Sequence, residues 1–254
     1  MHQTVSIDEV RESISGIKKK IAVMSGKGGV GKSTVTALLA ISLARKGDKV
    51  AIFDADFLGP SIPKLFGMEN ERIGLSDGRF ILPESRKHGI KVLSIQFLLP
   101  ERETPVIWRG PMIIGVMNDM LAKTGWGELD YLIFDLPPGT GDAPLTLMQS
   151  VELDGVVVVT SPNDLTSMIV EKALNMAKMM NTEVVGIVEN MSYFACPHCG
   201  EKTYIFGKKR SEKLARKYGL DVIAEIPIDP ELPEFADIGE IESYERDYFS
   251  DLRL

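Results

Sequence analysis

Residues 26–34 read Gly-Lys-Gly-Gly-Val-Gly-Lys-Ser-Thr, directly after the apolar run Ile21-Ala22-Val23-Met24 and directly before the helix-patterned Val35-Thr36-Ala37-Leu38-Leu39-Ala40. The spacing from Gly26 to Gly31-Lys32-Ser33 bends the chain with small residues, so that backbone N–H groups and a helix N-terminus face one anion. That is the pattern of a polyphosphate-binding loop. Lys32 is placed to reach the β- and γ-phosphates and Ser33 to ligate Mg²⁺, while Gly28, Gly29, Val30 and Thr34 complete the cradle. A second lysine, Lys27, follows the first glycine on the limb of the loop facing away from its own helix, and hints at a second subunit.

Two more apolar runs end in carboxylates. Ala51-Ile52-Phe53 leads into Asp54-Ala55-Asp56-Phe57-Leu58-Gly59-Pro60-Ser61, and Leu132-Ile133-Phe134 into Asp135-Leu136-Pro137-Pro138-Gly139-Thr140-Gly141-Asp142. Asp135, closing a buried strand, suits support of Mg²⁺, and Asp54 suits the same ion directly or through water. Asp56 suits orientation of the attacking water, the other reading for this pair being an N-cap on the helix begun near Pro60-Ser61. The segment Pro137-Pro138-Gly139 can sense a γ-phosphate through a backbone N–H.

Cys196 and Cys199, in Cys196-Pro197-His198-Cys199-Gly200, are the two cysteines of the chain. Two intervening residues let both sulfurs face one metal, and the following glycine permits a tight knuckle. Two thiolates fall short of the four ligands that tetrahedral zinc and iron–sulfur clusters usually take. A second copy of the loop, related by a two-fold axis, is the economical completion. Zinc, an iron–sulfur cluster and a thioredoxin-like redox pair all remain open on spacing alone.

The elements that must position these groups alternate between strand-like and helix-like. Strands are expected near 20–25, 49–53, 91–96, 130–135, 155–160, 183–190 and 221–225, and helices near 31–46, 111–123, 142–152, 165–181 and 208–218. Runs such as Val156-Val157-Val158-Val159 are apolar throughout, as strands covered on both faces are, which predicts an α/β fold with a doubly wound, mostly parallel sheet in three layers. Segment 69–90 carries an Asp77-Gly78 turn between short apolar runs and reads as a β-hairpin insertion. Residues 1–19 read as a polar extension, and 20–254 as a single domain. Met168, Met176, Met179 and Met180 follow helical spacing and are expected in the core. Lys208, Lys209, Arg210, Lys213, Arg216 and Lys217 form a basic run whose default reading is a solvated helix face.

With 254 residues, 44% apolar, the chain can fill one sizeable domain, and its net charge of −7 argues against nucleic acid or an anionic membrane as a general partner. Asp8, Glu9 and Arg11 near the start are unlike a signal peptide, and no apolar run approaches a membrane span, so a cytoplasmic location is expected.

Lys27 within its glycine loop resembles the deviant Walker A ATPases, which include MinD and ParA proteins, the nitrogenase iron protein and the Mrp/ApbC-type iron–sulfur carriers. Trp108-Arg109-Gly110-Pro111, the two aspartate segments, and Glu189-Asn190-Met191-Ser192-Tyr193-Phe194 with the cysteine loop are similar to the Mrp/ApbC subfamily. That resemblance covers residues 20 to about 235. It implies an ATP-hydrolysing, homodimeric carrier that delivers a [4Fe–4S] cluster to apoproteins, with Lys27, Lys32 and Asp56 catalytic. It further implies that Lys27 contacts phosphate in the partner subunit, that Asn190 and the Pro227 loop lie near adenine, and that Cys196 and Cys199 hold cluster, with zinc possible in its place. The chain departs from the subfamily at Lys209-Arg210, where small residues are common, and in its short acidic tail. The alternative function is a MinD/ParA-like positioning ATPase with a structural zinc.

Overall fold

The computed structural model describes residues 5–100, 110–162, 167–207 and 210–254, with the side chains of residues 110–111, 167–168 and 210 left aside. Seven parallel strands form the central sheet: β1 (Lys19–Ser25), β2 (Val50–Asp54), β5 (Lys91–Ser94), β6 (Tyr131–Asp135), β7 (Gly155–Thr160), β8 (Val184–Glu189) and β11 (Val222–Glu225). Their order is β11-β8-β7-β1-β6-β2-β5. The phosphate-loop strand β1 is therefore central, flanked by β6 and β7, and every strand delivers its carboxyl end to the same edge. Two small antiparallel pairs stand apart, β3 (Gly74–Ser76) with β4 (Arg79–Ile81), and β9 (Phe194–Ala195) with β10 (Lys202–Thr203).

Strict alternation along the strands sends residues to two separate cores. In β1, Ala22 and Met24 join the cluster under α1 (Ile7–Ser13), α4 (Gly110–Lys123), α5 (Asp142–Ser150), α6 (Ser167–Met179) and α7 (Arg210–Tyr218), while Ile21 and Val23 join the other. The second cluster lies under α2 (Lys32–Arg45), α3 (Ile62–Leu65), α8 (Glu231–Asp237) and the C-terminal tail. Both faces of the sheet are covered, which is why the strands read as continuous apolar runs, each fully buried Val or Ile contributing about 1.5–3 kcal/mol.

Helix α2 sets the phosphate loop. Val35, Ala37, Leu39 and Ala40 are fully buried, and the far end is held by the tail, with Arg45 Nη2 donating to the Tyr244 carbonyl at 2.6 Å and Lys46 Nζ to that of Phe249 at 3.0 Å. Tyr244 and Phe249 pack beneath those bonds. The acidic tail is thus a clamp on α2.

The expected strands and the insertion are present. In the hairpin, Asp77 (φ 51°) and Gly78 (φ 75°) both adopt left-handed backbone, the conformation a two-residue turn with right-handed strand twist requires. Residues 1–19, read as a polar extension, carry α1, a helix the pattern did not reveal. Its capping box joins Ser6 and Glu9, and Val10, Ile14 and Ile17 are buried in the core. Three apolar residues spread through a charged segment hid that face. Of the methionines, Met176 is buried and Met180 packs on the core, but Met179 is 80% exposed at the helix end; the expected core role fails there because α6 turns that position outward. Met168 lies outside the described side chains. No described helix is long and apolar enough to cross a membrane.

Candidate functional site

At the carboxyl edge, β1 ends in Ser25 and the chain folds back over residues 26–31 before α2 begins at Lys32. Gly29 and Gly31 both take φ 79°, a left-handed backbone that L side chains rarely adopt. Gly31 is doubly constrained, since a Cβ there would come within 2.1 Å of Asn190 Nδ2. A Cβ on Gly26 would meet Ile169 Cγ2 at 2.3 Å. These contacts leave a cavity of about 270 Å³ bounded by Lys27, Gly28, Gly29, Lys32, Ser33 and Thr34 on the loop side and by Asp56, Gly59, Ser61 and Pro138 opposite. Lys27 is half-buried on the wall of its own chain's cavity.

The cavity floor is a closed network of charge. Strand register brings Asp54 directly beside Asp135 and Ser94. Asp135 Oδ1 pairs with Lys32 Nζ at 2.7 Å and accepts from Thr36 Oγ1 at 2.7 Å, while its Oδ2 accepts from Ser33 Oγ at 2.5 Å. Lys32 is 6% exposed and Asp135 fully buried, so the pair is desolvated and compensated by hydroxyls. Asp54 accepts from the N–H groups of Asp56 and Ile62 and from Ser94 Oγ, all at 3.3 Å. Burial, then the neighbouring Asp135, pushes its carboxyl well above the usual carboxylate range. Asp56 is raised more modestly, chiefly by burial, and takes the Gly59 N–H at 3.3 Å. The suggested N-cap role belongs in part to Asp54, which receives the first N–H of α3, and not to Asp56.

Such a floor can exchange partners. An incoming polyphosphate competes with Asp135 for Lys32, and Mg²⁺ would be held by the Ser33 hydroxyl with Asp54 and Asp135 behind it, a hard oxygen donor set suited to that ion. Bound Mg²⁺ supplies charge neutralisation across the phosphates. On the opposite wall, Gly139 N–H donates to the Ser25 carbonyl at 2.9 Å, which holds the Pro137-Pro138-Gly139 turn against the loop.

The cysteines lie on the β9–β10 hairpin. Cys196 N–H donates to the Glu201 carbonyl at 2.9 Å, Gly200 N–H donates to the Cys196 carbonyl at 2.8 Å, and Gly200 has φ 72°, so the loop closes as a tight knuckle. Cys196 is partly exposed and Cys199 exposed. The N–H groups of Cys199 and His198 directed at the Cys196 sulfur hold its thiol below the usual range, favouring the thiolate that binds metal. No group of three or more His, Cys, Asp or Glu is assembled among the described residues, so one copy offers two sulfurs. This hairpin stands on a strand end and no helix begins at Cys196, unlike a thioredoxin-type pair.

Hydrogen bonds tie the segment that leads into the cysteine hairpin to the phosphate loop. Asn190, just past β8, donates from Nδ2 to the Val30 carbonyl of the phosphate loop at 2.9 Å. Its neighbour Glu189 is buried, accepting from Ser192 Oγ at 2.7 Å and from Ser211 N–H, at the start of α7, at 3.3 Å. Met191 between them adopts φ 56°, uncommon for its type.

Residues 16–250 match the ParA family model described as NUBPL iron-transfer P-loop NTPase. The chain belongs to that family. It is 51% identical over 230 residues to an iron-sulfur cluster carrier protein of Aquifex aeolicus, covering 91% of this chain and 63% of the relative. It is 48% identical to one of Methanocaldococcus jannaschii, covering 91% and 80%. The chain thus spans less than two thirds of the Aquifex relative. Among solved structures, a nucleotide-binding protein of Archaeoglobus fulgidus in complex with ADP is 51% identical with a TM-score of 0.90, covering 98% of each chain. MinD of Aquifex aeolicus, at 22% identity, TM-score 0.64 and coverage of 91% and 92%, shares the fold.

Within this iron-transfer family fold, residues 26–34, Asp54, Asp56 and Asp135 converge on one cavity edge, whereas Cys196 and Cys199 occupy a separate hairpin. Pro227 is buried just past β11, after Ile226 N–H donates to the Glu189 carbonyl at 2.9 Å, which puts it beside the Asn190 segment. Thr36, Ser94 and Glu189 were missed. Thr36 stands one helical turn beyond Lys32, a spacing that reveals it; Ser94 and Glu189 depend on register and burial. Trp108 and Arg109 lie outside the described residues, as do Lys208 and Lys209, while Lys213, Arg216 and Lys217 are solvated, Lys217 pairing with Glu171 at 2.9 Å.

Proposed function

We propose that the protein is an ATP-binding and hydrolysing carrier that holds an iron–sulfur cluster between two copies of itself and transfers it to apoproteins. The observation that carries this reading is the pair of exposed sulfurs on a preformed knuckle, half a ligand set, six residues along the chain from Asn190 on the phosphate loop. The Aquifex and Methanocaldococcus relatives, named as cluster carriers, support it.

In this reading Lys32 leaves Asp135 for the β- and γ-phosphates, Ser33 takes Mg²⁺, and Asp56 orients the attacking water. Lys27 reaches the phosphate of the partner subunit once the two chains close, so turnover is slow and depends on dimerisation. Asn190 and Pro227 border the adenine. Rearrangement of the loop around Val30 pulls on Asn190 and, through Met191 and Ser192, on the root of the cysteine hairpin, which couples nucleotide state to cluster retention. The [4Fe–4S] cluster is cargo and the site is exposed accordingly.

Anaerobic reconstitution with iron and sulfide followed by incubation with an apo-acceptor tests the proposal. About one cluster per dimer, lost in Cys196→Ala and passed to the acceptor, is expected from four shared thiolates. Failure to load, with tight retention of zinc, would sink it in favour of a structural zinc. The MinD/ParA-like alternative calls for a basic face or a membrane-binding tail, whereas Tyr244 and Phe249 of this tail are spent inside the core.

A further inference from the structure

The cysteine hairpin continues into a turn whose composition is wrong for a solvated loop. Gly207 N–H donates to the Tyr204 carbonyl at 3.1 Å, closing a four-residue turn with Ile205 and Phe206 at its corners. Corners of this kind favour Gly, Pro, Asn, Asp and Ser; here they carry two large apolar side chains, 56% and 36% exposed. The turn is not a loose end. The Tyr204 ring packs on Tyr193 with centroids 6.1 Å apart, and Lys202 Nζ sits 4.0 Å over the Tyr193 ring, so the tip is braced against the base of its own hairpin. Neither Ile205 nor Phe206 joins either hydrophobic core.

We infer that Ile205 and Phe206 form an apolar contact with a second copy of this chain, packing beside the shared metal and shielding it. The inference rests on the cluster-bridged dimer proposed above and names the side chains that stabilise it. The occupant follows from coordination and symmetry. Two sulfurs per chain leave the site incomplete without a second copy, and a two-fold axis through a bridging metal brings each cysteine hairpin against its own image. Ile205 lies four residues beyond Glu201, whose carbonyl closes the knuckle, and four residues span at most about 14 Å. A tip that near to the axis lies inside or at the rim of the contact. Two adjacent large apolar side chains held exposed at such a tip mark a contact, and a tip that excludes water also slows attack of oxygen on a cluster.

The test uses the full chain with both positions changed, Ile205→Ser and Phe206→Ser, beside the conservative Phe206→Leu. Self-association of wild-type and variant protein, loaded anaerobically, is measured by sedimentation velocity, and cluster bleaching in air by absorbance. The expected result is a dimer dissociation constant raised by about tenfold or more, with faster bleaching, while Phe206→Leu stays near wild type. Thermal midpoint and monomer nucleotide binding should not move, because the tip is outside both cores. A loaded wild-type protein that is monomeric would overturn the underlying dimer reading. A wild-type dimer matched by an equally tight, equally air-stable double variant would overturn this inference alone. Unchanged self-association with loss of delivery to an apo-acceptor would also overturn it, assigning the tip to the acceptor.

Discussion

The phosphate loop and the cysteine hairpin are built on opposite principles. Around Lys32 the charged and hydroxyl side chains find partners inside one chain: Asp135 faces Lys32, Ser33 and Thr36, and α2 is clamped at its far end by the tail. Around Cys196 two short strands of two residues each hold a knuckle that is open to solvent and short of ligands. One site offsets its buried charge with a dense network; the other presents two sulfurs and, among the described residues, no third ligand. The difference teaches that one chain by itself builds the phosphate-loop network, whereas it brings two sulfurs to the knuckle, which under the proposed function makes metal binding depend on assembly.

The sharpest way to break that contrast is at Asp135. Asp135→Ala strands a buried Lys32 without a counter-charge, and is expected to lower unfolding free energy by about 3–5 kcal/mol in urea titrations, with nucleotide binding lost. A small stability change would show that the floor is less tightly coupled than its geometry. Lys27→Ala should leave stability and ATP affinity close to wild type but slow turnover by about 10²- to 10³-fold. Mixing it with a chain inactivated at Lys32 and following phosphate release then decides whether Lys27 serves its own cavity wall or its partner's. Gly31→Ala forces a Cβ into Asn190 at a left-handed position, and about 1–3 kcal/mol of destabilisation is expected, together with weakened nucleotide binding by calorimetry.

At the other site the effects on the monomer should be slight. Cys199→Ser, on an exposed knuckle, is expected to change stability by less than about 0.5 kcal/mol while abolishing metal loading. A large loss would mean the hairpin supports the fold. The smallest effect is in thiol reactivity. Because N–H groups hold the Cys196 thiol below its usual range, it is thiolate at lower pH; iodoacetamide should label it several-fold faster near neutral pH than an ordinary cysteine thiol, as mass spectrometry of partially alkylated protein would read. That advantage should fade as pH rises through the usual thiol range.

Much of the nucleotide end was legible beforehand because its chemistry is local. Gly26 to Thr34 is one contiguous segment with a strand before and a helix after, and the aspartates announce themselves at the ends of apolar runs. The helix α1 was not legible, since three apolar residues among charges form a face only when α4 is there to receive them. Ser94 and Glu189 escaped for a related reason: a serine at a strand end has no meaning until register sets it beside Asp54, and Glu189 looks like surface until the turn at Ser192 and the start of α7 close over it.

Residue order by itself determined the phosphate cradle, the parallel α/β plan and the spacing of two sulfurs, because each depends on neighbours a few residues apart or on the period of an apolar pattern. Only the tertiary structure decided that Lys27 lines its own cavity, that Asn190 leans on the phosphate loop, and that the acidic tail clamps α2. The last two join residues 160 or more positions apart, and distances of that kind are fixed by strand order and packing, which no local pattern encodes.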